Sequence, residues 1–391
     1  MLLIELLFLC YFGYVVSYTT IFSFGGLLFY KIPEQIENAP RKFCVLIPCY
    51  KEDLVILDVA RKALEQSYSR TNYTVVVIAD SLQPATLAAL RELPIRVVEV
   101  HFESSTKVKS LNAALQALPQ EYEYAVILDA DNVMEFTYLE KMNKSLSPQV
   151  RAIQGQRKPK NQNNSLAVLD GVSEAINNHI YRQGSVALGL SSSISGSGVV
   201  FDFQLIKQKL GGMDSVGGFD RELEVLLLSD GIKVAYQKEA IVLDEKVSKS
   251  KTFQNQRKRW ISSQYIYLRK YFTVGMRALF KGNFTFFNST VLRNIQLPRL
   301  INIGLLTSLT LILYFVRQDL FFGYAIWVAF FAFNTISILL AIPREFYTRK
   351  LALAFLKLPF LFLNMLLLLF KLKGANKKFI HTPHESVMGR E

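Results

Sequence analysis

Residues 124–134 read YAVILDADNVM. Four apolar residues at 125–128 run straight into two carboxylates one residue apart, Asp129 and Asp131. A short continuous apolar run is the pattern of a strand buried on both faces, which points to a parallel sheet covered by helices. Two like charges at the end of such a strand repel each other unless a cation lies between them. A hard divalent cation suits them, because it takes carboxylate oxygens and keeps positions open for phosphate. A turn or a helix N-cap would use the same residue types, so the neighbouring strands must decide.

Working outward, apolar runs at 43–48, 73–79 and 95–100 read as further strands, and the stretches at 54–67, 85–93 and 108–118 as helices between them. Alternating strands and helices predict an α/β fold with a mostly parallel, mixed sheet. In such sheets ligands bind outside the carboxyl ends of the strands. The first strand ends in LIPCYKED (46–53) and the second in VVVIADS (75–81), so three strand ends carry polar residues on one rim. Each alone reads equally well as a solvated loop.

The chain has 391 residues, enough for one large domain or two ordinary ones. Hydrophobic residues make up 51% and aromatics 13%, with 29 Phe, which is more apolar than a purely soluble enzyme and predicts membrane segments. Charged residues at 20% require a soluble part as well. The net charge of +13 fits a basic face on anionic lipid, or a basic cleft for a phosphorylated ligand. Lys and Arg lie near apolar helices and form no separate arm, so nucleic acid is not an expected partner. Cys10, Cys44 and Cys49 are an odd number without metal-type spacing, which implies no disulfide framework and a reducing compartment for the soluble part.

Residues 2–30 are apolar apart from Glu5 and long enough to cross a bilayer. With no basic start and no small-residue cleavage site they predict a retained anchor. Lys31, Arg41 and Lys42 follow, which sends the next domain to the cytoplasm and the N-terminus outside. Residues 261–293 are too charged to span and too aromatic for a free linker, so an interfacial amphipathic helix is expected there. Apolar runs follow at 297–316, 321–342 and 351–370, the last interrupted by Lys357 and Pro359. Crossing four times would put the C-terminus outside, whereas Lys371, Lys373, Lys377 and Lys378 favour the cytoplasm, a conflict that a re-entrant final run would remove. The expected organisation is an anchor at 1–30, a catalytic domain at 31–264, interfacial helices at 265–296, about three transmembrane helices at 297–373 and a tail at 374–391. The chain is thus expected to be a multi-pass protein of the cell (inner) membrane, in contact with its lipids.

One more motif is specific. QRKRW at 256–260 has the form Q-x-x-R-W, after the α/β region and before the apolar runs. A basic helix lying on headgroups is the plain alternative. With this motif and the strand ends together, the chain resembles the membrane-bound processive members of the family 2 inverting glycosyltransferases, the group that contains cellulose, chitin and hyaluronan synthases. The resemblance covers about 41–264 and implies a GT-A-type domain that binds a nucleotide-sugar. It puts Pro48, Cys49, Tyr50, Lys51 and Glu52 at the nucleotide, Asp80 at the uracil of a UDP-sugar donor, and Lys107 or Lys109 of KVKSLNAAL near the diphosphate. Asp129 and Asp131 become its D-x-D motif, with Mg2+ or Mn2+ on the second carboxylate. Gln256, Arg257 and Arg259 would contact the donor diphosphate, and Trp260 would line the acceptor channel.

The same resemblance implies a carboxylate base, falling on Asp220 in GGFDRELEVLL, with Glu222 as the alternative. The chain departs from the family here, since Phe219 stands where the family has an acidic residue. Asp220 also reads as a helix N-cap and Glu222 or Glu224 as a solvated first turn. Gly196 and Gly198 fall in the family's small-residue loop at the acceptor end, and QGQRKP at 154–159 matches its supporting strand. The implied reaction is glycosyl transfer to a glycan acceptor, with a homo-oligomer or an export partner completing any polysaccharide channel. Polyprenyl-phosphate glycosyltransferases share the fold but normally lack Q-x-x-R-W. A receptor or transporter with a nucleotide-binding domain is a reading of another class, and the apolar runs hold almost none of the paired charges that mark a transport path.

Overall fold

Strands β1 (Phe43–Tyr50), β2 (Tyr73–Asp80), β3 (Arg96–Val100), β4 (Tyr124–Ile127), β5 (Val133–Met134), β6 (Ala152–Pro159), β7 (Val199–Asp202) and β8 (Ala235–Asp244) form one sheet, in the spatial order β3-β2-β1-β4-β7-β6-β8-β5. The architecture comes from a computed structural model that describes residues 2–28, 30, 32, 39–215 and 217–372. The expected tail at 374–391 lies outside the described residues, as do Lys31, Lys373, Lys377 and Lys378.

β1 is parallel to both β2 and β4, and β2 to β3. β1, β2 and β4 are apolar along nearly their whole length because both faces are covered, while the edge strand β3 exposes Arg96 and Glu99. Val45, Ile47, Val75 and Val77 pack on Ile56, Val59 and Ala60 of the helix Ile56–Ala63. Cys44, Leu46, Val76 and Ile78 point the other way, onto Val108, Leu111 and Leu115 of the helix Lys107–Ala117. The second half of the sheet is mixed: β7 is antiparallel to β4 and β6, β5 is antiparallel to β8, and β6 is parallel to β8. Between β6 and β7 the chain makes a long helical excursion, Ser165–Asn177 continued by the π-helical Asn178–Gly184, and returns in the opposite sense. The three cysteines are free, Cys44 and Cys49 within the core.

The helix Leu2–Leu27 is the one described helix long and apolar enough to cross a membrane by itself. The pairs Phe284–Ile295 with Arg299–Phe315, and Arg349–Phe355 with Leu358–Leu369, pass the same test only if each bent pair is one span; they bend by 57° and 50°. Tyr324–Leu340 has 17 residues, roughly 25 Å of helix against a hydrocarbon core of about 30 Å. The second bend comes where Lys357 and Pro359 interrupt the apolar run, with the proline in the first turn of the following helix. The expected division at 264/265 is not a structural boundary, because Ser250–Phe280 is one helix of 31 residues that runs through it.

The N-terminal helix is bound to the rest of the chain. Its buried Phe12 and Val16 pack on Leu306 and Trp327, and Tyr18 and Phe22 on Val172, Ile176 and Ile180. Near its end the backbones approach closely: a Cβ on Gly184 would collide with the Phe22 carbonyl, and one on Gly26 with the His179 ring. Glu5, the one acid of the predicted anchor, is buried and accepts the backbone N–H groups of Phe321 (2.9 Å) and Phe322 (3.2 Å).

Candidate active site

A cavity of about 360 Å³ opens at the carboxyl ends of β1, β2 and β4. One end of it is built by strand termini. The chain turns sharply there, since Lys51 and Ser81 both have positive φ (56° and 58°), a conformation that costs energy for any residue with a Cβ. The turns leave Pro48, Tyr50, Glu52 and Asp80 on the cavity wall. Asp80 is 1% exposed, its Oδ1 accepts from Ser81 Oγ (2.9 Å), and its Oδ2 has no partner among the described residues. A buried acceptor without a donor is costly and points to a ligand N–H.

Asp129 and Asp131 form the floor. Ser197 fixes their loop: its Oγ accepts the Asp129 backbone N–H (2.9 Å). Asn132 is fully buried below, and with its amide oxygen accepting from Ser197 Oγ (2.6 Å) its nitrogen reaches Asp131 and Asp244, each at 3.3 Å. Lys107, in the first turn of its helix, ion-pairs with Asp129, donates to the Gly196 carbonyl (2.8 Å) and lies 4.9 Å from the centre of the Phe219 ring. Phe219, the departure from the family pattern, thus packs on the lysine side chain that partners the first aspartate.

Asp220 lines the cavity in the first turn of the helix Phe219–Ser229. It is not the N-cap; Gly218, at φ 71°, holds that place. Burial raises the Asp220 carboxyl above the ordinary range, and the neighbouring Arg221 offsets part of that. Glu222 is turned away from the cavity and held by Lys270 (2.5 Å), the Tyr267 hydroxyl (3.1 Å) and Ser215. Gln256, Arg259 and Trp260 enter the same cavity from the long helix.

Four other expected site residues lie off the cavity lining. Lys51 lies with its amine 5.1 Å from the centre of the Tyr50 ring. Arg257 is rotated by about 100° from Gln256 on the helix; it ion-pairs with Asp170 and stacks between Phe253 and Trp260, 4.7 and 4.3 Å from the ring centres. Lys109 turns to the Ser104 carbonyl (3.1 Å). Gly198 serves the sheet, its N–H on the Ile127 carbonyl (2.9 Å) and its own carbonyl accepting from Gly155 N (2.8 Å), with φ at +61°. Gly196 does line the cavity, at φ +79°.

Sequence reasoning missed a second charged wall. Arg157 of β6, Asp244 at the end of β8, and Lys246 face the cavity, with Arg157–Asp244 at 2.5 Å and Lys246–Asp244 at 2.6 Å. Burial would raise the Asp244 carboxyl, but Arg157 and Lys246 outweigh it and hold it below the usual range. Glu174 lines the cavity too, paired with Arg182 (2.8 Å). The signal was present in LDEKV at 243–247, a buried strand ending in charges like β1 and β2.

A family model described as "Glycosyltransferase like family 2" matches residues 40–263, the whole sheet and the helix segment that carries Gln256, Arg259 and Trp260. The chain belongs to the family 2-like glycosyltransferases. A search of curated proteins found no match to its sequence. Among solved structures, this glycosyltransferase is similar to the mannosyltransferase PcManGT from Pyrobaculum calidifontis in complex with GDP-Man and Mn2+, at TM-score 0.50 and 18% identity over 84% of this chain and 97% of that one. It matches S. aureus TarS at TM-score 0.39 and 16% identity, over 56% of this chain and 38% of that one. The glucosyl-3-phosphoglycerate synthase from Mycobacterium tuberculosis, in complex with Mn2+, UDP and phosphoglyceric acid, matches at 0.37 and 13%, over 55% and 73%. At 18% identity the likeness to PcManGT speaks for the fold alone, and the family match supports a mixed-sheet GT-A-like domain.

In this glycosyltransferase Asp244 joins Arg157 to the buried Lys246, and its removal takes the ion-pair partner from both. Asp244→Asn is expected to cost about 3–5 kcal/mol, read as a lowered unfolding midpoint of the detergent-purified protein. Because the Asp244 carboxyl is depressed in the folded state, its stabilisation is present above the unfolded pKa near 3.9 and lost as pH falls through the lower folded value. The variant loses that acid dependence.

Proposed function

We propose that this glycosyltransferase moves a glycosyl unit from a UDP-sugar to a hydroxyl group of a glycan acceptor, with inversion, at the cytoplasmic face of the cell (inner) membrane. The observation that carries the reading is convergence: Asp80, Lys107, Asp131, Asp220, Gln256, Arg259 and Trp260, spread over 180 positions of sequence, line one cavity. The unpartnered Asp80 Oδ2 suits the imide N–H of uracil. Lys107 and Arg259 supply positive charge for a diphosphate, and the unpartnered Oε1 of Gln256 is an acceptor for a sugar hydroxyl. Trp260 is 42% exposed and backed by Arg257, a flat apolar surface on which a sugar ring can stack.

The donor set fits a hard divalent cation. Asp129 is already partnered by Lys107, Asp131 is a buried carboxylate at the cavity floor, and no group of three or more His, Cys, Asp or Glu converges on one point among the described residues. The chain thus offers one or two carboxylates and leaves the rest of the coordination to donor phosphates and water, the habit of Mg2+ or Mn2+. When bound, such an ion supplies stabilisation of the negative charge on the departing diphosphate. Asp220 takes the proton of the attacking hydroxyl as the new bond forms at the anomeric carbon from the face opposite the nucleotide. The bond from that carbon to the diphosphate oxygen breaks with its electron pair, and UDP leaves without needing a proton.

The apolar helix Leu2–Leu27, long enough to cross a membrane, supports placement at the bilayer, as do the exposed apolar side chains Leu3, Leu7, Phe315 and Phe360. Extension of a growing chain, with a second copy or an export partner completing a channel, is part of the same reading. Incubating the purified protein with a panel of UDP-sugars, Mn2+ and glycan acceptors tests it. One donor should give acceptor-dependent UDP release and a product heavier by one sugar or more; no release with any donor ends the proposal.

A further inference from the structure

The turn that follows β2 carries a side chain that the reaction as drawn does not use. Ser81 is exposed and does not line the cavity, yet its hydroxyl donates to Oδ1 of the buried Asp80 (2.9 Å). Its φ of 58° lies in the left-handed region, where glycine is at ease and a Cβ costs energy. The conformation is imposed from both sides. The Asp80 carbonyl accepts the Lys51 N–H (3.2 Å) from the turn after β1, and the Gln83 N–H goes to Asp53 Oδ1 (2.8 Å). With Tyr50 and Asp80 in register on the parallel strands β1 and β2, the two turns are tied together at the rim of the cavity. What a glycine at position 81 could not supply is the hydroxyl.

The consequence is a carboxylate with two unlike oxygens. Oδ1 already receives the Ser81 hydroxyl, while Oδ2 has no partner among the described residues, in a side chain 1% exposed on the cavity wall. A carboxylate with both oxygens open suits a pair of parallel donors. Guanine offers such a pair, its ring N–H and the adjacent exocyclic amine. Uracil offers one N–H between two carbonyls, and a carbonyl oxygen facing a bare carboxylate oxygen is repelled. Turning Oδ1 to a hydroxyl leaves one strong acceptor and weakens that repulsion, which matches the edge of uracil. A guanine amine at the same place lacks a full acceptor in a buried site, and an unpaired buried donor is costly.

We propose that Ser81 is a positioning residue for nucleotide specificity: by engaging Asp80 Oδ1 it sets the cavity to read a base with a single N–H, uracil, and to discriminate against guanine. This rests on the UDP-sugar reading of the cavity and adds to it the residue that selects the base. Ser81 acts through Asp80 from outside the lining. The positive φ is the backbone's part of the arrangement, because it brings the hydroxyl of residue 81 back onto the carboxylate of residue 80.

Three nucleoside diphosphates separate the number of donors from the size of the base. UDP, GDP and IDP are titrated with Mn2+ against the detergent-purified full-length protein, read by calorimetry or by the unfolding midpoint. The hypoxanthine of IDP keeps the purine ring and its N–H but lacks the exocyclic amine. In the wild type UDP should bind about 10-fold tighter than GDP, and GDP no tighter than IDP. Ser81→Ala frees Oδ1, so GDP should gain about 10-fold over IDP, the worth of one hydrogen bond to a charged group. Ser81→Gly also relaxes the positive φ and should give the same gain, which guards against an alanine variant that does not fold. A general loss of stability weakens all three nucleotides alike and leaves the GDP-to-IDP ratio where it was. Wild-type GDP binding as tight as that of UDP, or a GDP-to-IDP ratio unchanged in both variants, overturns the role of Ser81 alone. No binding of any of the three overturns the UDP-sugar reading of the cavity and the inference with it, so the two failures are distinct.

Discussion

Asp131→Asn is expected to reduce metal-dependent UDP release by on the order of 10³-fold, with the protein still folded. The side chain keeps its shape and its place next to Asn132, but it loses the full negative charge that a divalent cation requires. Asp129 cannot substitute, because its carboxylate is already neutralised by Lys107. Raising the Mn2+ concentration should recover part of the lost rate, since the missing interaction is one of affinity for the ion. The measurement is initial rate of UDP release against Mn2+ concentration for wild type and variant. A variant with an unchanged metal dependence would remove Asp131 from the site and, with it, the assignment of the D-x-D motif.

The second large effect belongs to Asp220. Asp220→Asn is expected to lower kcat by about 10²–10⁴ while the KM for the donor stays near wild type, because the residue acts on the acceptor proton and not on the nucleotide. Burial raises its carboxyl, so the acid limb of the pH–rate profile should lie above the usual aspartate value near 3.9. Below that limb the carboxyl is protonated and cannot accept a proton, so the rate falls with pH; the asparagine variant should show no such limb. Glu222→Gln is the control, since Glu222 is off the cavity lining and engaged by Lys270, Tyr267 and Ser215, and its neutralisation should leave kcat near wild type. If the glutamine variant lost activity and the asparagine variant kept it, the base would be Glu222.

Parts of the site were legible because they follow from short-range rules. A buried parallel strand must be apolar throughout and must end where the chain leaves the sheet, so 43–48, 73–79 and 125–128 announced both the strands and the polar ends that carry Pro48, Asp80, Asp129 and Asp131. The structure extends the first two by two residues and one residue, shifts the third to Tyr124–Ile127 and keeps their order along the chain. The choice between Lys107 and Lys109 was not legible: they are two residues apart on one helix, about 200° around its axis, and only the position of that helix against β4 decides which of them meets Asp129. Arg257 is the same case, one residue from Gln256 and on the face that meets Asp170.

The division at 264/265 failed for a different reason. Composition changes there from motif to aromatic and basic residues, but a helix is propagated by local hydrogen bonds that do not register composition, and Ser250–Phe280 runs through unbroken. The bend at Lys357 and Pro359 was legible because proline removes a backbone donor wherever it falls.

By itself the sequence determined the α/β class, the strand ends and the residue types gathered there, because periodicity, chain reversal and charge are properties of neighbours along the chain. Tertiary structure alone decided that Arg157, Asp244 and Lys246 share one wall, and that Glu222 faces away while Asp220 faces in. Those relations depend on which helix packs on which, and a helix side chain displaced by one position turns about 100° away from its target.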